Sequence, residues 1–233
     1  MPKGRLYGIG VGPGDPELLT LKALRLLQSC PVVVYQSAED KPSVARGIVA
    51  RYLPGNQIEF PYHLPRAIDA VAAQPIYDKI VTPIAEHLAA GRDVVVLCEG
   101  DPLFYGSFMY VFTRLSDEFE TEVVPGISSP MGCASALGVP ISYRNDIFSV
   151  LPAPLPVEVL EAQLLNADAV AIIKLRRHFA KVRDVLQKLG MSSRAQYIER
   201  GTMENQKIIP LHEVDPAQVP YFSMILVPSK SRL

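Results

Sequence analysis

The chain has 233 residues, of which 48% are hydrophobic and 20% are charged, and its formal net charge is -1. This composition is that of a soluble globular protein with room for one large domain or two small ones. The charge balance gives no broad basic face for nucleic acid, and no apolar run is long enough to span a membrane. The N-terminus, Met1-Pro2-Lys3-Gly4-Arg5, has no apolar signal core behind it, so we expect a cytoplasmic protein.

Short apolar strands alternate with helical patterns through the first half of the chain. The continuous apolar run Val94-Val95-Val96-Leu97 is typical of a strand buried on both faces in a mostly parallel sheet. Asp15 is available as the N-cap of the first helix, with Pro16 as its first residue. The predicted strands are residues 5–10, 31–35, 57–60, 93–98 and 122–124, and the predicted helices are residues 17–29, 43–52, 76–90 and 105–115.

A second set of elements begins near Pro125. Its predicted helices are residues 128–137, 157–164 and 179–189, and its predicted strands are residues 146–151, 169–173, 196–199 and 223–227. The acidic segment 116–120 is the best candidate for the join between the two halves. The sequence therefore predicts two α/β domains with mixed, mostly parallel sheets, residues 1–118 and 119–233.

Neither the cysteines nor the histidines form a metal-binding pattern. Cys30, Cys98 and Cys133 are widely spaced and lie among apolar or small residues, which favours buried free thiols in a reduced compartment. The histidines are scattered along the chain. They are His63, His87, His178 and His212. We predict no metal site.

The glycine-rich stretch Gly8-Ile9-Gly10-Val11-Gly12-Pro13-Gly14-Asp15-Pro16 follows the first predicted strand. A dinucleotide fingerprint requires a third glycine where this chain has Pro13 or Asp15, and an acidic residue where the second strand ends in Gln36. No Gly-Lys-Ser/Thr follows, so the stretch is not a P-loop either. It is typical of a binding loop, but the two common phosphate-binding motifs are excluded.

Two further strand-to-helix turns complete a recognisable set. Glu99-Gly100-Asp101-Pro102-Leu103-Phe104-Tyr105-Gly106 follows one buried strand, and Val124-Pro125-Gly126-Ile127-Ser128-Ser129 follows the next. Each turn by itself is an ordinary feature, in which Asp101 or the serines cap the following helix. The three motifs in this order resemble those of the tetrapyrrole methylase family, and the resemblance covers nearly the whole chain.

The resemblance implies a methyltransferase that uses S-adenosylmethionine (SAM). Members of the family are homodimers built from two α/β domains, and they bind SAM in the cleft between the domains, largely through backbone groups. In this chain the implied division gives the tetrapyrrole side to the N-terminal domain, while the C-terminal domain completes the SAM site. The implied cofactor residues are Pro13, Glu99, Gly100, Asp101, Phe104, Ser128, Ser129, Lys174, Leu175 and Gly201.

Narrower features resemble one branch of the family. The segments 34–46, 59–62 and 142–145 resemble precorrin-2 C(20)-methyltransferases, and Gln36 departs from the acidic residue usual in uroporphyrinogen-III methyltransferases. The implied substrate is precorrin-2 or cobalt-factor II. The alternatives are methylation of another ring carbon or, from more distant relatives, of diphthine or ribosomal RNA; a pI near 6.4 disfavours an RNA-binding face.

Substrate contacts and the proton acceptor are less constrained by the sequence. The substrate carries several carboxylates, which basic residues in loops or at element ends would receive, although each is also an ordinary solvated surface charge. The substrate-binding candidates are Gly12, Lys41, Arg46, Arg66 and Arg144, with Lys174 also a basic candidate. Three side chains are candidates for taking the departing proton, and the sequence does not separate them from one another or from water. They are Tyr35, His63 and Tyr105.

Overall fold

The computed structural model describes residues 2–37, 42–63 and 74–230. The chain forms two compact units, which divide between Ser128 and Ser129. The sequence predicts the boundary between the two halves at 118/119. The observed boundary lies ten residues later, because the strand that follows residue 119 pairs with the first strand of the first unit. Among the described residues, no helix is both long and apolar enough to cross a bilayer.

The first unit is a five-stranded parallel sheet in the order β3-β2-β4-β1-β5. Its strands are β1 (Leu6–Gly10), β2 (Val32–Ser37), β3 (Ile58–His63), β4 (Val94–Cys98) and β5 (Thr121–Val124). Its α-helices are α1 (Leu21–Ser29), α2 (Val44–Val49), α3 (Gln74–Ala89) and α4 (Phe108–Leu115), and short 3-10 helices span Pro16–Leu18 and Ala50–Tyr52.

The sheet of the first unit is buried on both faces. One face carries Ile9, Val33 and Leu97 and packs against residues of α1 and α2. The other face carries Val34 and Val96 and packs against α3 and α4. This confirms the expectation from the uninterrupted apolar run in β4, since a sheet covered by helices on both sides has no polar face.

The second unit has a mixed sheet in the order β6-β7-β10-β8-β9. Its strands are β6 (Phe148–Pro152), β7 (Ala169–Ile173), β8 (Gln196–Glu199), β9 (Lys207–Ile209) and β10 (Ser223–Val227). Its α-helices are α5 (Ser129–Leu137), α6 (Val157–Asn166) and α7 (Phe179–Lys188), with 3-10 helices at Arg176–His178, Leu211–Glu213 and Pro216–Gln218.

Most strand pairs of this second sheet are antiparallel, whereas every strand pair of the first sheet is parallel, so the parallel pairing is concentrated in the first unit. Only β6 and β7 pair in parallel, through the crossover helix α6. β10 is antiparallel to both β7 and β8, and β8 is antiparallel to β9. No α-helix lies between β8 and β10, and without a crossover the chain returns in the opposite direction. β9 was not predicted, because three residues give too short a pattern.

Two helices of the first unit begin later than predicted. Asp15 caps the 3-10 helix Pro16–Leu18, while α1 begins at Leu21 with Thr20 as its N-cap. The predicted helix from residue 105 begins at Phe108, since Tyr105 has a left-handed backbone with φ 56°. The glycine-rich loops therefore keep their own structure for several residues before each helix starts.

The cap of α1 provides a test of its observed start. The Thr20 hydroxyl accepts a hydrogen bond from the backbone N–H of Ala23 at 3.2 Å. Replacing Thr20 with Ala removes this acceptor and should lower the free energy of unfolding by about 1 kcal/mol. Thr20→Ser keeps the hydroxyl and should stay close to wild type. Urea unfolding of both variants checks this, and equal losses would show that the hydroxyl does not cap the helix.

Candidate active site at the carboxyl edge of the first sheet

The three motif loops leave the same edge of the first sheet. β1 lies between β4 and β5, and all three strands are parallel. Gly10 is opposite Cys98, and Ile9 is opposite Val124. The loops that follow these strands therefore start side by side, at the edge where open α/β sheets bind their ligands.

The connections that leave this edge of the sheet pass to opposite faces. The connections after β1 and β2 run through α1 and α2 on one face of the sheet, whereas the connection after β4 runs through α4 on the other. β4 lies between β2 and β1, so a topological switch point lies on each side of it. Such points open a crevice beyond the strand ends and are the usual ligand sites of this class of sheet.

Glycines bring the three loops into backbone contact. The N–H of Gly100 donates to the carbonyl of Gly12 at 2.8 Å, and the N–H of Gly12 donates to the carbonyl of Gly100 at 3.3 Å. A Cβ on Gly10 would lie 2.5 Å from the nitrogen of Gly126 and 2.6 Å from the oxygen of Gly100. A Cβ does not fit at Gly10 or Gly126, and Gly12 and Gly100 have positive φ values of 79° and 66°, so the glycines of all three motifs have a structural role before any ligand is considered.

Asp101 ties the second loop to the third. Its Oδ1 accepts from the N–H of Leu103 at 2.9 Å, and its Oδ2 accepts from the N–H of Gly126 at 3.1 Å. The first bond is the turn-capping role considered from the sequence, and the second joins two motifs. A carboxylate has further lone pairs, so these bonds leave acceptor capacity for a ligand.

Aromatic residues follow Asp101 in the same loop. The rings of Phe104 and Tyr105 meet edge to face, with their centroids 5.0 Å apart. Tyr105 is 44% exposed and has the left-handed φ noted above, a conformation that is uncommon for a bulky residue and concentrated at functional sites. Pro13 of the first loop is partly exposed at the same edge of the sheet.

Glu99 begins the second loop and faces the start of α2. Burial raises the pKa of Glu99, whereas hydrogen bonds with its own backbone and with the backbone of Ala45 lower it in part. The neighbouring cap of α2 is Ser43, whose hydroxyl accepts from the N–H of Arg46 at 3.3 Å. Glu99 thus joins the end of β4 to the first turn of α2.

A three-residue network lies on the same face of the sheet, at the end of β2. The hydroxyl of Tyr35 donates to Oε2 of Glu59 at 2.8 Å. Arg46 binds the same carboxylate with two N–H groups, Nε to Oε2 at 3.0 Å and Nη2 to Oε1 at 2.9 Å. Arg46 therefore has an internal carboxylate partner, although its side chain remains 37% exposed. The network of Tyr35, Glu59 and Arg46 will be called the β2 network.

The remaining candidates numbered up to 129 lie at element ends or outside the described residues. His63 ends β3 and is exposed, with its Nδ1 3.4 Å from the carbonyl oxygen of Ser37. Ser128 is the last residue of the first unit, and Ser129 begins α5. Lys41 and Arg66 lie outside the described residues.

The candidates of the second unit lie at one edge of its own sheet. β7 and β8 both run antiparallel to β10, so they end at the same edge. Lys174 and Leu175 follow β7, and Gly201 follows β8. A Cβ on Gly201 would lie 2.5 Å from Sγ of Cys133 in α5, which explains the glycine. Arg144 is exposed in the loop before β6, so it is not one of the candidates that follow β7 or β8.

A buried carboxylate at the end of β8 was not anticipated from the sequence. Glu199 is 6% exposed, and it accepts from the hydroxyl of Tyr197 at 2.8 Å and from Nη1 of Arg200 at 2.9 Å. Arg200 has a left-handed backbone with φ 50°, and its N–H donates to the carbonyl of Phe222. Glu199 therefore holds the side chain of Arg200, whose backbone begins the turn that contains Gly201. The alternation of Tyr197 and Glu199 along β8 was the available signal.

The structure confirms three buried free thiols. Burial raises the pKa of Cys30 and Cys98 to about 11 and that of Cys133 to about 12, so all three are inert thiols at neutral pH. Across residues 2–37, 42–63 and 74–230, no group of three His, Cys, Asp or Glu side chains is placed to hold a metal ion.

Comparison with known proteins identifies the family. A family model described as Tetrapyrrole (Corrin/Porphyrin) Methylases matches residues 5–215. The chain belongs to this family of methylases. The match spans both units and all three glycine-containing loops, and it confirms the resemblance stated from the sequence.

Similar proteins of this methylase family differ in length. The chain is 40% identical to Precorrin-2 C(20)-methyltransferase from a Sinorhizobium species, over 97% of this chain and 95% of the relative. It is also 40% identical to Cobalamin biosynthesis protein CobIJ of Mycobacterium tuberculosis, over 99% of this chain but 47% of the relative. The chain thus spans about half the length of the mycobacterial relatives.

Solved structures of this methylase fold also match. Uroporphyrin-III C-methyl transferase from Thermus thermophilus complexed with S-adenyl homocysteine superposes with a TM-score of 0.66 at 25% identity. The match covers 97% of this chain and 92% of that chain. The two-unit α/β architecture is therefore that of the tetrapyrrole methylases.

The glycine contacts give a direct test of the site. Gly10→Ala places a methyl group against the backbones of Gly100 and Gly126, so the loops must move apart. We expect a loss of about 1–3 kcal/mol in the free energy of unfolding, as for other overpacked sites. We also expect SAM binding to weaken by about tenfold or more, which corresponds to 1.4 kcal/mol. Calorimetric titration and urea unfolding measure the two effects.

Gly47→Ala is the matched control for that variant. Gly47 lies in α2, and a Cβ there meets nothing within 4 Å. Alanine at this helical position should raise stability by roughly 0.5–1 kcal/mol and leave SAM affinity unchanged. Unchanged SAM affinity in folded Gly10→Ala would show that the glycine contacts do not form the cofactor site.

The raised pKa of Glu99 predicts a pH dependence. Ionising the buried carboxyl costs the folded protein free energy, so its contribution to stability is present at acid pH and is lost as pH rises through the raised pKa. Glu99→Gln has no charge to bury. The stability of this variant relative to wild type should therefore increase with pH from about pH 4 upward. Urea unfolding at a series of pH values checks this, and a constant or falling difference would contradict it.

Proposed function

We propose that this protein is a SAM-dependent methyltransferase that adds a methyl group to carbon 20 of precorrin-2 in cobalamin biosynthesis. The observation that carries the proposal is the 40% identity to the Sinorhizobium Precorrin-2 C(20)-methyltransferase over nearly the full length of both chains. The mycobacterial relative, named for cobalamin biosynthesis, supports the same pathway. Cobalt-factor II, the cobalt-containing substrate, is the alternative to be tested.

The carboxyl-edge loops suit a ligand such as SAM. The cofactor presents an amino group, a carboxylate and a ribose, which require both donors and acceptors, and backbone turns supply both. When bound, it supplies a methyl group made electrophilic by its sulfonium. The Thermus relative, solved with S-adenyl homocysteine, supports this cofactor. The residues proposed to hold it are Pro13, Glu99, Gly100, Asp101, Phe104, Ser128, Ser129, Lys174, Leu175 and Gly201.

Positioning is the main contribution that we assign to the protein. Carbon 20 of a reduced tetrapyrrole is conjugated to pyrrole nitrogens and is already nucleophilic, so the protein does not have to create a nucleophile. Aligning the carbon with the methyl group is sufficient to supply roughly 7–11 kcal/mol of the barrier reduction. Loops fixed by backbone contacts at glycines are suited to that task, because they have little freedom to rearrange.

Basic residues are proposed to receive the substrate carboxylates. Arg46 and Arg144 are the described basic members of this set, and Lys41 and Arg66 complete it from outside the described residues; Gly12 is proposed to contact the substrate through its backbone only. Arg46 uses Nε and Nη2 on Glu59, and its guanidinium has five N–H donors in all, so donors remain for a second carboxylate. The N-terminal half is proposed to carry the tetrapyrrole and the C-terminal half to complete the SAM site.

The oligomeric state and the cellular location are also part of the proposed function. We infer a cytoplasmic homodimer that acts on a small-molecule substrate and on neither nucleic acid nor membrane. The family resemblance supports the dimer, and the net charge of -1 supports a small-molecule partner over nucleic acid. Light scattering of the full chain measures its mass, and a monomer at micromolar concentration would contradict the dimer.

Methyl transfer from labelled SAM tests the function. Precorrin-2 and cobalt-factor II are offered separately under anaerobic conditions, and NMR locates the label in the product. We expect label at carbon 20, with precorrin-2 as the preferred substrate. Label at another carbon, or SAM binding without transfer to either substrate, would overturn the C(20) assignment. Preference for cobalt-factor II would keep the position and change the substrate.

A further inference from the structure

The end of β2 lies at a switch point that no motif loop spans among the described residues. On the other side of β4, the hydrogen bonds between Gly12 and Gly100 close the edge between β1 and β4. Tyr35 of β2 is paired with Leu97 of β4, and Leu97 is two residues before Glu99 of the second motif. A group at Tyr35 is thus next to the crevice where the sheet topology predicts a ligand.

The contacts of Tyr35 determine what its hydroxyl can do. The hydroxyl donates its proton to Glu59, and burial and the nearby carboxylate raise the pKa of Tyr35. A tyrosinate at this place is therefore unfavourable, which disfavours Tyr35 as a base acting alone. A neutral tyrosine is still able to pass a proton along, because it accepts one on oxygen while it gives up its own.

Glu59 is suited to receive that proton. Two N–H groups of Arg46 hold its carboxylate, and these bonds with that of Tyr35 lower the pKa of Glu59. Among the described residues, the charged or titratable groups facing Glu59 are Tyr35 from β2 and Arg46 from α2. The carboxylate is 30% exposed, so a proton delivered to it has a route to water.

We propose that Tyr35 and Glu59 form the proton exit for the methylation, with Tyr35 in contact with the substrate and Glu59 as the terminal acceptor. This inference rests on the proposed function. Carbon 20 forms its bond to the methyl carbon with a π pair of the macrocycle, and the sulfur–methyl pair returns to sulfur. The C20–H pair then restores the macrocycle, the proton goes to Oη of Tyr35, and the Tyr35 proton goes to Oε2 of Glu59.

Arg46 has a positioning role in this scheme. It keeps Glu59 ionised and fixes the carboxylate beneath the Tyr35 hydroxyl through two of its N–H groups. The opposite pKa directions of the two nearby glutamates are consistent with this assignment, since Glu59 is held ionised while burial favours the protonated form of Glu99. Glu59, which the Tyr35 hydroxyl contacts directly, is therefore the ionised carboxylate available to accept the proton.

An isotope experiment on the full-length protein tests the exit path. Tyr35→Phe removes only the hydroxyl, and Glu59→Gln removes only the charge. We expect kcat to fall by about 10²-fold or more in each, as for loss of a general base. With precorrin-2 deuterated at carbon 20, a primary isotope effect on kcat, weak in wild type, should emerge in both variants. The double variant should be no slower than the single variants, because both groups serve one step.

Two controls separate this effect from a general loss of structure. Tyr110→Phe changes a tyrosine that stacks on Tyr77 in the α3–α4 layer, and Glu161→Gln changes an ion-pair partner of Lys188 in the second unit. Both should keep wild-type kcat without an isotope effect. Thermal melting establishes that each variant is folded. If Tyr35→Phe does not fold, the kcat and the isotope effect of Glu59→Gln test the proposal.

The outcomes distinguish this proposal from the proposed function. Wild-type enzyme that places no methyl group on carbon 20 would overturn the function itself. Wild-type activity at carbon 20 with unchanged kcat in both variants would overturn the proton exit alone. Slow variants without an isotope effect at carbon 20 would also overturn it, since the network would then only position the substrate.

Discussion

The close approach of three loop backbones at the carboxyl edge of the first sheet is the constraint on which the site depends. Gly10, Gly100 and Gly126 meet there: a Cβ on Gly10 or Gly126 would overlap main-chain atoms, and Gly100 has a positive φ of 66°. Each of the three motifs contributes one of these glycines, and Asp101 adds a hydrogen bond between the second loop and the third. The motifs therefore occur together because they form one packed unit, at the edge that we propose binds the cofactor.

The helices that follow two of these loops begin late. The first and second loops continue past the strand ends for several residues before their helices begin, whereas in the third loop α5 begins three residues after Gly126. α1 begins only after its N-cap, Thr20, and α4 begins only after Tyr105, whose backbone is left-handed. The intervening residues hold backbone groups and small side chains at the strand ends, which is what a ligand with mixed polarity requires.

The sequence predicted the site loops and the first sheet well, because their signals are local. Glycine spacing and an uninterrupted apolar run are properties of a short segment, and both correspond directly to a turn and to a buried strand. Two features depended on contacts between residues distant in the sequence and were not visible. They are the antiparallel return of β10 and the pairing of Glu59 with Tyr35 and Arg46.

Glu59 illustrates that limit in particular. In the sequence, Glu59 is only the first residue of the segment 59–62, and Arg46 is a candidate substrate ligand. The parallel register of β2 and β3 brings Glu59 beside Tyr35, and α2 delivers Arg46 to the same carboxylate. A pairing across three elements cannot be predicted from the spacing within any one of them.

The most direct test of the cofactor site is an amide NMR titration of the full chain with S-adenosylhomocysteine. If the glycine-linked loops hold the cofactor, the largest shifts in the first unit occur at Gly12, Gly100 and Gly126, whose backbones line the edge. Binding with these three amides unmoved, and with the shifts confined to the opposite edge of the sheet, would contradict the assignment of the site.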